Sequence, residues 1–121
     1  RMIEATKEVV RDIADLGKVL LISRGASAIL KDKPNTLKIF FVASEEDRIE
    51  RAKKMHNLSS DNDAIDLLKH ADHAQNEYYL KAFGLNFEDL GIYHAVLNTS
   101  NLTPEDCCKV IFSLIEEKLE V

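Results

Sequence analysis

Residues 37–55 read LKIFFVASEEDRIERAKKM, and the pattern changes period part-way along. The first seven are apolar except for Lys38, and they are rich in aromatic and β-branched side chains. A run of that length and composition is expected to form a strand buried on both faces, as in a parallel sheet. Ser44 then stands three positions before Asp47, the spacing of a helix N-cap and its capping-box partner. Beyond it Ile49, Ala52 and Met55 recur at helical spacing, flanked by Arg48 and Arg51. A buried strand running directly into a capped helix is half of a βα unit. In open α/β sheets, ligands sit just outside the carboxyl ends of such strands.

Upstream, residues 2–16 place Ile3, Val9, Val10, Ile13 and Leu16 in helical rhythm, and Gly17 stands where a terminating glycine belongs. Residues 18–23, KVLLIS, are expected to form a second short buried strand, emptying into the small-residue turn Arg24, Gly25, Ala26 and Ser27. Residues 31–36, KDKPNT, make a polar connection with Pro34 and Asn35 as turn formers. Downstream, Ser59 or Ser60 can cap a long helix that runs to about Phe83 and closes at Gly84. Ile65, Leu68, Tyr79 and Phe83 share one side of it, with Asp72 and Gln75 in the middle of that side. A carboxylate there needs a partner or a ligand. Residues 93–98, YHAVLN, give a third short strand. Thr103-Pro104-Glu105-Asp106 then starts a last helix whose apolar face is Val110, Ile111, Leu114 and Ile115. The order α-β-turn-β-α-α-β-α implies an α/β fold, a parallel sheet covered by helices.

The 121 residues suit a single α/β domain, and no repeat or linker divides them. A net charge of −5 argues against nucleic acid as a partner, since phosphate backbones demand a basic face. Small anions remain open, because a few converging arginines can outweigh the global balance. No apolar run approaches a membrane span, and no secretory signal is present. The two cysteines, Cys107 and Cys108, are neighbours inside a predicted helix and point apart, so a reducing cytoplasm is expected. The chain opens at Arg1, which leaves two readings: a start at Met2, or a piece of something longer.

Four stretches in register, SRGASAIL, LKIFFVASEEDRIERAKK, the run from Asp72 through Tyr78, Tyr79 and Phe83 to Gly84, and YHAVLNTSNLTPED, resemble the cytidylate kinase-like family. Its members are P-loop nucleoside monophosphate kinases, so the resemblance implies ATP:nucleoside-monophosphate phosphotransfer on a pyrimidine nucleotide. By position it implies that Arg24 contacts the nucleotide monophosphate and that Arg48 and Arg51 reach ATP phosphates or the adenine. Asp72 would recognise the sugar, and Asn98 and Thr99 would lie beneath the donor base. The complete enzyme would use ATP with Mg²⁺, and no cofactor intrinsic to these residues is expected.

This chain departs from the family pattern in three places. The arginines expected four before and three after Asp72 are Leu68 and Gln75, and His94 stands where an aspartate is usual before the last strand. No G-x-x-x-x-G-K-[ST] run occurs; the one Gly-Lys pair, Gly17-Lys18, is followed by Val19 and preceded at the required distance by Asp12. The resemblance therefore implies the C-terminal part of a P-loop kinase-like core missing its phosphate-loop strand, inactive alone. In the family that strand lies between those corresponding to residues 18–23 and 37–43. Its absence leaves backbone edges that proteins avoid exposing. Either these two strands pair directly, or a second chain supplies or blocks an edge. A homo-oligomer, or association with a missing N-terminal part, is expected.

Each of these residues also has a plainer reading. Arg24 could cap a turn, and Arg48 and Arg51 could pair with Glu45 or Glu50 on a solvated flank. Asp72 could be satisfied by a backbone N–H, Tyr78 or Tyr79. His70 and His73 with Asp66 have a metal-like spacing but lie on a polar helix face. Tyr78, Tyr79 and Phe83 are expected in the core rather than stacked on a base. The alternative to a kinase-like domain is a non-catalytic oligomerisation or interaction module built on the same fold.

Overall fold

The computed structural model describes residues 2–22 and 25–120. Helix α1 spans Met2–Asp15, and Gly17 follows it with φ +74°, the left-handed geometry expected of a terminating glycine. A short helix α2 covers Ala26–Ile29. Gly25 precedes it at φ +69°, and a Cβ there would come within 2.6 Å of the Phe83 ring. Only glycine allows this turn to lie against the end of the long helix.

Strand β1, Ile39–Val42, pairs in parallel with β2, Ala95–Asn98, in the register Ile39↔Ala95 to Val42↔Asn98. Both are shorter than the apolar runs that contain them. Helix α3, Glu45–Met55, leaves β1 through Ser44, whose hydroxyl accepts the Asp47 N–H at 3.2 Å. The reciprocal half of the capping box does not form, because the Ser44 N–H donates instead to Ser100 Oγ at 2.8 Å. Helix α4, Asp61–Phe83, is capped by Ser60 and closed by Gly84, and α3 packs along it. A 3₁₀ turn at Leu90–Ile92 leads into β2. Helix α5, Pro104–Lys118, carries the expected capping box of Thr103 and Asp106 in full.

The core lies between β1, the end of α4 and the connection after it. Tyr79 and Phe87 are buried with Ala28, and Phe40, Tyr78, Phe83, Leu85 and Ile92 pack against them. Phe40 stacks on Tyr93 at 4.9 Å, while Tyr79 meets Phe83 and Phe87 edge-on at 5.3 and 6.3 Å. Such pairs add about 0.5–1.5 kcal/mol each beyond the area they bury. The aromatic run at the end of α4 is therefore core, as its helical spacing implies.

Three expectations are overturned. Residues 18–22 form no strand: Leu20 is 85% exposed and Ile22 76%. They do not pair with β1, and Ser23 lies outside the described residues. An extended segment is held as a strand by a ladder, and no neighbour among the described residues offers one. β1 is not buried on both faces: Phe41, opposite the buried Leu97, is half exposed because nothing described lies beyond β1 on that edge. Met55 leaves the stripe begun by Ile49 and Ala52 and points to solvent.

The surface as a whole carries the same signature. The chain exposes 8911 Å², whereas a compact protein of 13.7 kDa exposes about 6,600 Å².

Candidate functional site

Because the strands are parallel, their carboxyl ends meet, and the residues that leave them are stitched together. Thr99 follows β2 and donates to the Val42 carbonyl of β1 twice, from its N–H at 2.8 Å and its hydroxyl at 2.9 Å. Ser100 Oγ takes the Ser44 N–H and lies 3.3 Å from Ser44 Oγ. Asn98 turns back on the same loop, its side-chain oxygen accepting the Ser100 N–H at 2.9 Å. The sheet therefore ends in a polar platform, with the amino terminus of α3 rising from it.

Two arginines of α3, one helical turn apart, overlook this platform and differ in their partners. Arg48 makes a two-pronged bond to Asp72 of α4, Nη2 to Oδ1 at 2.8 Å and Nη1 to Oδ2 at 3.1 Å. The Asp72 hydrogen bond raises the Arg48 pKa further, and the guanidinium charge is paired with that carboxylate. With side chains 40% and 38% exposed, the bridge contributes about 1 kcal/mol or less. Arg51 instead donates to Thr99, Nη1 to the hydroxyl at 2.8 Å and Nη2 to the carbonyl at 3.1 Å. Both acceptors are neutral, and Arg51 is oriented over the strand ends with no ion pair among the described residues.

Of the residues singled out in the sequence, Arg51, Asn98 and Thr99 come together at one place. Arg48 and Asp72 come together with each other, rather than with Glu45, Glu50 or the two tyrosines. Arg24 lies outside the described residues. His70 and His73 are exposed, with His70 Nδ1 2.8 Å from the Asp66 carbonyl. No three His, Cys, Asp or Glu side chains among the described residues converge to hold a metal. Asp72 is committed to Arg48, so the described residues do not fit a Mg²⁺ centre.

The sequence reading missed the Ser44–Ser100 link. Its only trace is the hydroxyl-rich run Thr99-Ser100 after β2, where a single sequence carries no sign of which strand it faces. Buried Tyr79 has its phenol pushed far up by desolvation and by its hydrogen bond with Tyr93, a structural rather than acid–base role.

Comparison with known proteins matches residues 1–101 to the cytidylate kinase-like family. The chain belongs to that family. It is 32% identical over 108 residues to a cytidylate kinase of Methanocaldococcus jannaschii, covering 87% of this chain and 60% of that protein. Against cytidylate kinase of Pyrococcus horikoshii it is 29% identical over 116 residues, 96% of this chain and 55% of the other. For that of Sulfolobus acidocaldarius the figures are 30% over 82 residues, 68% and 44%. The chain thus spans about half the length of the curated relatives it matches. A crystal structure of an uncharacterized protein from Eubacterium ventriosum shares the fold, with a TM-score of 0.82 at 18% identity over 93% of this chain and 63% of the other. No helix among the described residues is long and apolar enough to cross a membrane.

Proposed function

We propose that these residues form the lid and base-platform portion of an ATP:nucleoside-monophosphate phosphotransferase acting on a CMP-like nucleotide. By themselves they bind nucleotide weakly and transfer no phosphate. The observation that carries this reading is Arg51, fixed by Thr99 above the carboxyl ends of two parallel strands with no carboxylate among the described residues paired to it. Phosphoryl transfer is mostly positioning and charge neutralisation, and an oriented guanidinium serves both. Asn98 and Thr99 supply the floor beneath it, and the family resemblance assigns Arg24, which lies outside the described residues, to the nucleotide monophosphate. Arg48 and Asp72 act as a strut between α3 and α4, and Asp72 reaches a sugar only if that strut opens. Inactivity alone follows from the chemistry: none of these residues can wrap the β- and γ-phosphates as a glycine-rich loop does. The reading places all 121 residues in one α/β unit within a reducing cytoplasm, which suits the unpaired Cys107 and Cys108.

One observation favours a second reading. The surplus of roughly 2,300 Å² of surface, with apolar residues 19–22 among it, is the scale of a large protein interface. An oligomerisation module, with a second copy or another segment seated on the β1 edge, accounts for it without any nucleotide. Calorimetry separates the two. On the kinase reading, CMP or ATP–Mg²⁺ gives measurable heat that weakens at least tenfold in Arg51→Ala and in Arg24→Ala. No heat from the unaltered chain, together with a concentration-dependent dimer in sedimentation, overturns it in favour of the module.

A further inference from the structure

At the opposite, amino-terminal end of the strands lies a cleft of about 510 Å³, a size that admits a small metabolite. Four lysines line it, Lys31, Lys33, Lys38 and Lys118, against one acid, Asp32, in a chain whose net charge is −5. Lys38 is the unusual member. It is only 6% exposed, yet its ammonium has no carboxylate partner among the described residues. Among the described residues its one hydrogen bond runs from Nζ to the Thr36 hydroxyl at 2.8 Å. Asp32 acts on it only from beyond ion-pair distance, and a buried ammonium that keeps two donor hydrogens and has no contacting counter-ion is costly unless something anionic reaches it.

The surroundings of Lys38 are built rather than incidental. The Lys38 N–H donates to His94 Nδ1 at 3.0 Å, and the Lys38 carbonyl accepts the His94 N–H at 2.7 Å. With Nδ1 accepting, the ring proton sits on Nε2, which adds a donor to the wall. The 31–36 loop is closed by the Thr36 hydroxyl donating to the Lys33 carbonyl at 2.8 Å. It is clamped to the segment just beyond α5 by Asn35, which accepts the Glu120 N–H and donates to the Glu120 carbonyl at 3.2 Å. That clamp brings Lys118 to the rim. Lys33 is paired with Asp15 at 2.7 Å, whereas Lys31, Lys38 and Lys118 make no ion pair with any described residue.

We propose that this cleft binds a small phosphate-bearing anion, with Lys38 as its buried anchor and Lys31 and Lys118 at the rim. The donors are ammonium groups and an imidazole N–H without an arginine fork, a set that holds a compact, multiply charged phosphate through point charges. The site lies at the other end of the sheet from Arg51 and does not depend on the kinase reading.

The test is a titration of the ¹⁵N-labelled chain with inorganic phosphate, against sodium chloride at equal ionic strength. Saturable amide shifts confined to residues 31–38 and 91–94 are expected with phosphate and not with chloride. Lys38→Met should abolish them. The exposed double variant Lys31→Glu/Lys118→Glu, which leaves the buried wall intact, should weaken the apparent affinity at least tenfold. Arg51→Ala should leave them unchanged. Shifts that track ionic strength alone, that gather at residues 44–51 and 98–100, or that survive the double charge reversal overturn the proposal.

Discussion

Residues 18–22 and strand β1 are chemically alike and structurally opposite. KVLLI and IFFV are both short, aliphatic or aromatic, and suited to a pleated surface. One is a strand whose backbone pairs with Ala95–Asn98 and whose exit is fastened by Thr99 and Ser100. The other carries Leu20 and Ile22 into solvent with no ladder to any described residue. Their difference is the neighbour, not the sequence. β-propensity describes how well a side chain fits a sheet that already exists, and the sheet has to be supplied by another segment.

Truncating the ordered segment should therefore cost far more than truncating its open counterpart. Phe40→Ala removes the ring stacked on Tyr93 at 4.9 Å and edge-on to Phe87 at 6.4 Å. A loss of about 2–3 kcal/mol in urea unfolding is expected, below the range for a fully buried Phe because Phe40 is partly open. Leu20→Ser should change stability by no more than about 0.5 kcal/mol. Equal losses would mean that residues 18–22 are packed in solution, and the contrast would fail.

The exits of the ordered strand give smaller effects. Ser44→Ala removes both the N-cap of α3 and the hydroxyl beside Ser100, at a cost of about 1 kcal/mol. Asp72→Asn keeps the shape but removes the charge that Arg48 grips, and about 0.5–1 kcal/mol is expected, shrinking in high salt. A salt-independent loss would identify Asp72 as more enclosed than its half-exposed side chain indicates.

The smallest effect lies at the amino end of β1 and has a pH signature. Burial lowers the Lys38 pKa, opposed more weakly by Asp32. Because the folded chain holds this proton less tightly than the unfolded one, a charged Lys38 opposes folding. The penalty is full below its folded pKa and fades as pH rises towards the unfolded value of about 10.4. Lys38→Met should thus melt at a higher temperature than the unaltered chain at pH 7, with the gap closing towards pH 11. A gap that stays constant across that window would remove burial of the charge as its cause.

Much of this architecture was legible in the residues. Ser44, Ser60 and Thr103 announced three helix starts, Gly17 and Gly84 two ends, and the period change at Ala43 the β1–α3 junction. What local pattern could not reveal was pairing. KVLLI has the composition of a strand but finds no partner among the described residues, and a partner is a property of other segments. The site was legible as a set of residues but not as a set of bonds. Arg48 and Arg51 look equivalent in the sequence, yet one faces a carboxylate 24 positions away and the other a hydroxyl 48 positions away. Lys38 was visible as the one charge in an apolar run, but its lack of an ion pair among the described residues emerges only when the loop, β1 and His94 are assembled.

Native-state hydrogen exchange on the chain reads the two segments side by side and tests the central claim, that β1 is ordered by its ladder while residues 18–22 wait for one. The hydrogen-bonded amides of Ile39–Val42 and Ala95–Asn98 are predicted to be protected by about a hundredfold or more, and those of residues 19–22 to exchange near the rate of an unfolded peptide. Comparable protection in both segments would contradict the account.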